Sequence, residues 1–162
     1  MKIEESNIVE TTDYRVIIYP ASRPFTAKES KTIAEKLYDF LGDWAAHGKE
    51  LSSSFKIEKN QFIIICVDEE KEAASGCSID ALGKVMRELD AQFDLGLFDR
   101  MKASYIENGE VKTLKLSEFK NKIRSGELSK DIQVFDFSKN TYLDFLSHFI
   151  QPFGRSWAAS IS

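Results

Sequence analysis

Residues 55–67 read Phe-Lys-Ile-Glu-Lys-Asn-Gln-Phe-Ile-Ile-Ile-Cys-Val, and this stretch decides the fold. Phe55 and Ile57 alternate with polar neighbours, which predicts an edge strand with one buried face. The unbroken apolar run 62–67 follows the turn at Asn60-Gln61 and predicts an inner strand that is buried on both faces. The stretch therefore predicts a pair of strands, one outer and one inner.

The residues on either side of this pair predict a helix in each direction. Upstream, a strand over 14–19 ends at Pro20, and Thr26 with Glu29 forms the capping box of a helix. The apolar residues of that helix recur at helical spacing: Ile33, Leu37, Leu41 and Trp44. Downstream, Ser78 is the expected N-cap of a second amphipathic helix that runs to Phe93. Both helices are expected to face one core.

The first hundred residues therefore read β-α-β-β-α-β, which predicts a ferredoxin-like split βαβ core of the α+β class over 1–107. The fourth strand of that core is expected at 103–106. It is joined to a strand over 111–116 by Asn108-Gly109, the favoured pair for a two-residue hairpin turn. The remaining part, 108–162, is expected to cover the open side of the sheet as a β/α extension. A homodimer is the alternative cover.

Composition excludes several classes of protein. A chain of 162 residues with 43% hydrophobic residues fits a single domain over 1–162. The net charge of −4 without a basic block argues against nucleic acid. The sequence shows no leader pattern and no apolar run of about 20 residues, so we expect a cytoplasmic protein without a membrane span. Two cysteines and two histidines predict no structural metal, and no cofactor is expected.

The residue most suited to chemistry is Cys77. It follows Ser75-Gly76 at the expected start of the second helix, where free backbone amides and the helix dipole stabilise a thiolate. The expected topology brings His47 and Asp68 to the same rim of the sheet. These three residues predict a nucleophile, a base and an orienting acid, as in a thiol-dependent enzyme. Cys66, within the apolar run, is expected to be buried and unreactive.

Other interpretations of the same turn stay open. The helix start can hold a small anionic ligand at Ser75, Gly76, Cys77 and Ser78, with Trp44 and His47 beside it, as part of a binding or regulatory domain that takes this ligand or a protein partner. The simplest interpretation is structural: the turn only starts a helix. A third function class is self-association through the open sheet face.

Four short motifs resemble those of a family of short, uncharacterised bacterial proteins. They are Trp44-x-x-His47-Gly48, Val67-Asp68-Glu69, the block Ala-Ser-Gly-Cys-Ser-Ile-Asp at 74–80, and Phe98-Asp99-Arg100. Some members of the family are labelled ABC transporter ATPases. That label implies a phosphate-binding loop of the form Gly-x-x-x-x-Gly-Lys-Ser/Thr, and the sequence contains no such segment. We therefore predict that the chain is not a P-loop ATPase.

Overall fold

The structure is a computed structural model that describes residues 13–70 and 72–162. It has mixed α+β architecture with antiparallel sheets. The first half contains β1 (Arg15–Pro20), α1 (Ala27–Asp43), β2 (Ala45–Ala46), β3 (Lys49–Glu50), β4 (Ser52–Glu58), β5 (Phe62–Asp68) and α2 (Gly76–Phe93). The second half contains β6 (Lys102–Glu107), β7 (Glu110–Lys115), α3 (Leu116–Ser125), β8 (Gln133–Phe135), α4 (Tyr142–His148) and β9 (Ile150–Pro152). Two short 3-10 helices follow, at Phe153–Arg155 and Trp157–Ser160.

The first sheet has the strand order β1-β5-β4. Its centre is β5, in which every residue from Phe62 to Val67 is buried, whereas β4 lies at one edge. The register pairs Phe55 with Ile65 and Ile18 with Ile64. The expected inner strand over 62–67 and the outer strand beside it are therefore confirmed, because β5 is paired on both edges and covered on both faces and so needs apolar residues at consecutive positions.

The capping box at the start of α1 is also confirmed. Glu29 N donates to Thr26 Oγ1, and Thr26 N donates to a Glu29 carboxylate oxygen. The same carboxylate receives two hydrogen bonds of 2.8 Å from the Arg23 guanidinium, which also donates to the Phe93 carbonyl oxygen at the end of α2. The start of one helix is thereby joined to the end of the other, and the apolar faces of both pack in one core.

The second sheet has the order β7-β6-β8-β9. Asn108 and Gly109 join β6 to β7 with positive φ angles of 52° and 78°, as a type I′ turn requires, so the expected hairpin is confirmed. A ferredoxin-like sheet would place the fourth strand beside β1, but β6 pairs with β7 and β8 instead. The physical reason is local: the hairpin occupies one edge of β6, β8 occupies the other, and neither edge is left for β1.

The C-terminal part covers the face of the first sheet that points away from α1 and α2. Phe62 on β5 packs against Phe135 and Phe149, with ring centroids 4.7 and 5.5 Å apart. Val16, Ile64 and the side chains of α4 complete this second core. The expected cover for the apolar sheet is thus supplied from within the chain, which removes the physical reason for self-association through that face. Within the described ranges, no helix is long and apolar enough to cross a bilayer.

Candidate functional site

The turn that carries Cys77 is the capped start of α2. Ser75 is the N-cap, since its Oγ accepts from Ser78 N at 3.1 Å, while Ser78 Oγ accepts from Ser75 N at 2.7 Å. The expectation that Ser78 is the N-cap is therefore wrong by three residues. Two serines three positions apart can form a reciprocal box only if the first is the cap, and Ser78 then takes the place that Glu or Gln usually holds. Gly76 and Cys77 lie between them, both exposed.

Trp44 brings the end of α1 to this turn. Its indole is buried, and Nε1 donates a hydrogen bond of 2.8 Å to the Ser78 carbonyl oxygen. The chain then forms a small hairpin of β2 and β3, which the sequence did not lead us to expect. His47 and Gly48 form its turn, with φ angles of 51° and 76°, so that the imidazole lies at an exposed tip. The hairpin lies against α2.

Acidic residues at the end of β5 are engaged with the backbone of the same rim. Asp68 Oδ1 accepts from Glu70 N at 3.1 Å. Glu69 Oε2 accepts from Ala74 N at 2.9 Å and lies 3.6 Å from an Arg15 guanidinium nitrogen. These carboxylates hold the turn between β5 and α2 in place.

The expected rim is present, but its polar groups do not form a chain of hydrogen bonds. In the part of the chain that the structure describes, no hydrogen bond joins Cys77, His47 and Asp68. The thiol of Cys77 is exposed, whereas Cys66 is buried and its burial raises its pKa to about 12, as expected for an inert thiol. The catalytic and anion-binding roles at this turn stay predictions.

A second location lies beside the outer edge of β1, opposite β5. The first half of this edge is covered, because Val16 N donates to the Asn140 carbonyl oxygen and Tyr142 N donates to the Tyr14 carbonyl oxygen, each at 2.8 Å. At the far end, the Pro20 carbonyl oxygen accepts from Lys102 Nζ at 2.6 Å. Between these contacts the edge borders a groove of about 540 Å³, a volume typical of ligand sites.

The groove runs between the two layers that cover the sheet. Ile79, Gly83 and Arg87 of α2 form one wall, and Phe137 with Ser138 forms the other. Residues Leu97 to Arg100 of the loop before β6, together with Lys102 at the start of β6, close one end. Because an added Cβ at Gly83 would have only a side-chain nitrogen of Arg87 as a near neighbour, at 3.5 Å, this glycine keeps a section of the wall open.

Charged and aromatic groups meet at that closed end. The Arg87 guanidinium lies 5.2 Å from the centroid of the Phe98 ring, which packs edge-to-face on Tyr19 at 5.9 Å. Burial raises the pKa of Tyr19, and the nearby positive charge of Arg87 partly opposes that shift. Lys102 is buried, and its burial lowers its pKa to about 8. The groove thus combines apolar walls with cationic groups, as binding sites for small molecules and peptides do.

Phe98, Asp99 and Arg100 belong to one of the four short motifs of the sequence, which assigns them no binding role, and no motif marks Gly83 or Arg87. One signal was present. A glycine in the middle of an amphipathic helix lowers the stability of the helix by about 0.5–1 kcal/mol relative to alanine. Gly83 therefore indicates a position where the chain needs open space beside the helix.

Metal ligation finds no support in the described ranges, which contain no group of three or more His, Cys, Asp or Glu side chains placed to hold an ion. Comparison with known proteins adds no family assignment. No protein-family model matches the chain, and neither a curated protein nor a solved structure matches it significantly.

Proposed function

We propose that this protein is a small binding or regulatory domain whose ligand occupies the groove between β1, α2 and the loop at Leu97–Lys102. One observation carries the proposal: about 540 Å³ of groove is bordered both by apolar side chains and by the open edge of a strand, with Arg87 at one end. The groove occupies the position that the fourth strand has in a ferredoxin-like sheet, so the departure from that fold is what leaves the space.

The Cys77 turn supports a binding function less well. Its serine side chains bond to each other, and the Glu69 carboxylate already accepts a hydrogen bond from the preceding amide of Ala74. An incoming anion there would meet the negative charge of Glu69 nearby. The thiol-enzyme alternative needs a base within hydrogen-bond reach of Cys77, and His47 forms no hydrogen bond with it.

Fragment binding followed by nuclear magnetic resonance tests the proposal. The probe is a library of small aromatic acids, amides and capped dipeptides, added to the uniformly 15N-labelled full chain. We expect hits to shift the amide resonances of Ile18, Gly83 and Phe98. Hits that cluster around Cys77, or an absence of hits at the groove, would overturn the proposal.

Gly83→Leu is the matched variant, because it fills the groove from a position where the backbone tolerates a side chain. It is expected to abolish the shifts. Gly42→Leu is its control, since Gly42 lies at an exposed position of α1, away from the groove, and an added Cβ there meets nothing within 4 Å. Thermal unfolding of both variants shows that they are folded. Binding that survives Gly83→Leu unchanged places the ligand elsewhere.

A further inference from the structure

The hydrogen bonds of neighbouring residues show which backbone groups of β1 point away from β5. In an antiparallel pair, alternate residues direct their N–H and C=O groups to the same side. Tyr14, Val16 and Pro20 all use these groups on the side away from β5. Ile18 lies between them in the same alternation, so its N–H and C=O point into the groove, and neither has a partner among the described residues.

This edge is recessed rather than open to solvent on all sides. The two layers extend past it, α2 on one face and Phe137–Ser138 on the other, so that the groove is a slot along the strand. Strand edges are usually paired or blocked, because unpaired backbone groups between apolar walls are costly. An extended chain satisfies such an edge with its own backbone and places alternate side chains against each wall.

The side-chain directions of β1 determine which wall of the groove each residue of a paired extended chain would contact. Ile17 and Tyr19 point into the core shared with α2, whereas Ile18 points into the C-terminal core. A residue paired with Ile18 therefore faces Phe137, and the residues on either side of it face α2. The residue paired with Tyr19 lies nearest to Arg87, because the Phe98 ring packs on Tyr19 and the Arg87 guanidinium lies over the same Phe98 ring.

Charge favours an acidic residue at that position. Neither Arg87 nor Arg100 forms an ion pair within the described ranges. Asp99 uses one carboxylate oxygen to accept a hydrogen bond from Met101 N, and Asp80 lies at the α2 wall. Two unpaired guanidinium groups at one end of the slot can bind a carboxylate with charge-assisted hydrogen bonds.

We infer that the slot binds an extended acidic segment of a partner protein as an additional antiparallel strand on β1, with a carboxylate at Arg87. The inference rests on the proposed function and names its ligand class. A second copy of the chain fits less well, because Asn140–Tyr142 already pairs with the first half of the β1 edge and leaves too short a stretch for two copies of β1 to pair.

A capped tripeptide, acetyl-Glu-Ile-Val-amide, tests the inference directly, because three residues fit along the edge between Val16, which already bonds to Asn140, and Pro20. In antiparallel pairing its central isoleucine lies opposite Ile18 and its glutamate opposite Tyr19. We expect saturable binding, a downfield shift of the Ile18 amide proton and slower hydrogen exchange at that amide. The same peptide with an N-methylated central isoleucine loses the bond to the Ile18 carbonyl and is expected to bind at least about ten-fold more weakly.

The carboxylate is tested by a double-mutant cycle. Arg87→Gln is expected to weaken the glutamate peptide by about five-fold and to leave a peptide with glutamine at that position almost unaffected. Arg155→Gln, at an exposed arginine far along the chain, is the control. An equal loss for both peptides would mean that Arg87 acts only through packing, and it would overturn the charged contact.

Several outcomes separate this inference from the proposed function. If fragments bind in the groove and the peptide does not, the inference fails while the binding function stands. If neither binds, both fail. Equal affinity for the N-methylated peptide rules out strand addition, and an Ile18 amide that is already protected in the free protein shows an occupied edge. A concentration-dependent dimer that the peptide does not dissociate would identify a second copy as the occupant instead.

Discussion

The ammonium of Lys102, at the start of β6, donates a hydrogen bond of 2.6 Å to the carbonyl oxygen of Pro20, at the end of β1. It also donates to the Gly96 carbonyl oxygen at 2.6 Å and to Ser22 Oγ at 3.1 Å. A buried cation is tolerated here because each of its three protons has an acceptor. One side chain thereby joins the first sheet, the loop after α2 and the second sheet.

Lys102→Met is expected to lower the free energy of unfolding by about 1–3 kcal/mol, because it leaves the Pro20 carbonyl oxygen without its donor and removes one of the donors to the Gly96 carbonyl oxygen. Urea unfolding measures the change as a lower midpoint with an unchanged slope. Lys112→Met is the control, since that ammonium lies in an exposed pair with Glu107 and is expected to contribute less than about 1 kcal/mol. Equal losses in the two variants would contradict the role of Lys102.

Alkaline pH provides a second measurement on Lys102. Burial lowers its pKa to about 8 in the folded protein, against 10.5 for a solvated lysine. Between these values the unfolded chain binds more protons, so the stability of the wild type relative to Lys102→Met rises with pH. Cys66 titrates in both proteins and cancels in the difference. A stability difference that stays flat or falls across this window would show that burial does not destabilise the charged lysine.

The loss of folding stability at acidic pH is expected to depend on Glu29. Hydrogen bonds from Arg23, and then from the Thr26 backbone, lower its pKa to about 2, against 4.5 in a solvated chain. The stabilisation is complete above pH 4.5 and is lost as the pH falls toward 2. Glu29→Gln should therefore cost about 1–3 kcal/mol at neutral pH and progressively less in acid. Glu88→Gln, in an exposed pair with Lys36, should show little change at either pH.

Two glycine-to-alanine substitutions are expected to act in opposite directions. Gly83→Ala should stabilise the protein by about 0.5–1 kcal/mol, because it lies in the interior of α2 and the new methyl group has room. Gly96→Ala should destabilise it by more than that, since Gly96 has a φ of 71° and a Cβ there would collide with the Ser22 side chain. Thermal unfolding of both variants distinguishes these outcomes, and a loss of stability in Gly83→Ala would contradict the open wall.

The two cysteines are expected to differ in reactivity. Cys77 is exposed, whereas Cys66 is buried with a raised pKa, so iodoacetamide should alkylate one thiol in the folded protein and two after unfolding. Mass spectrometry of the labelled peptides identifies the site. Cys77→Ser should abolish the fast reaction, and Cys66→Ala should preserve it. Comparable labelling of both cysteines in the folded state would show that the second core opens readily.

Local patterns predicted local structure well. Thr26 with Glu29, and Asn108 with Gly109, each satisfy backbone geometry within a few residues, so their conformations depend little on the rest of the chain. The position of β6 could not be obtained in this way. A strand with two usable edges can pair with any neighbour, and only the tertiary packing decides that β6 pairs with β7 and β8 rather than with β1.

The candidate site also has parts that local sequence predicts and parts that only the tertiary fold brings together. The Cys77 turn was found because its residues are adjacent in sequence, and the helix start it predicted is present, shifted by three positions. The groove brings together β1, α2 and residues near 137, which no short motif links. Its strongest polar feature, the free backbone of Ile18, has no sequence signal at all, because every residue carries the same N–H and C=O groups.

Arg15 pairs with Thr141, which is synthesised much later than Arg15 when the ribosome makes the chain from its N-terminus. The first sheet, α1 and α2 emerge from the ribosome well before α4, so the apolar face around Phe62 and Ile64 has no cover during that interval. A nascent chain with such a face is prone to aggregation and is a natural client for chaperones. Stop codons or frameshifts that remove the last segment should therefore produce insoluble protein rather than a shorter working domain.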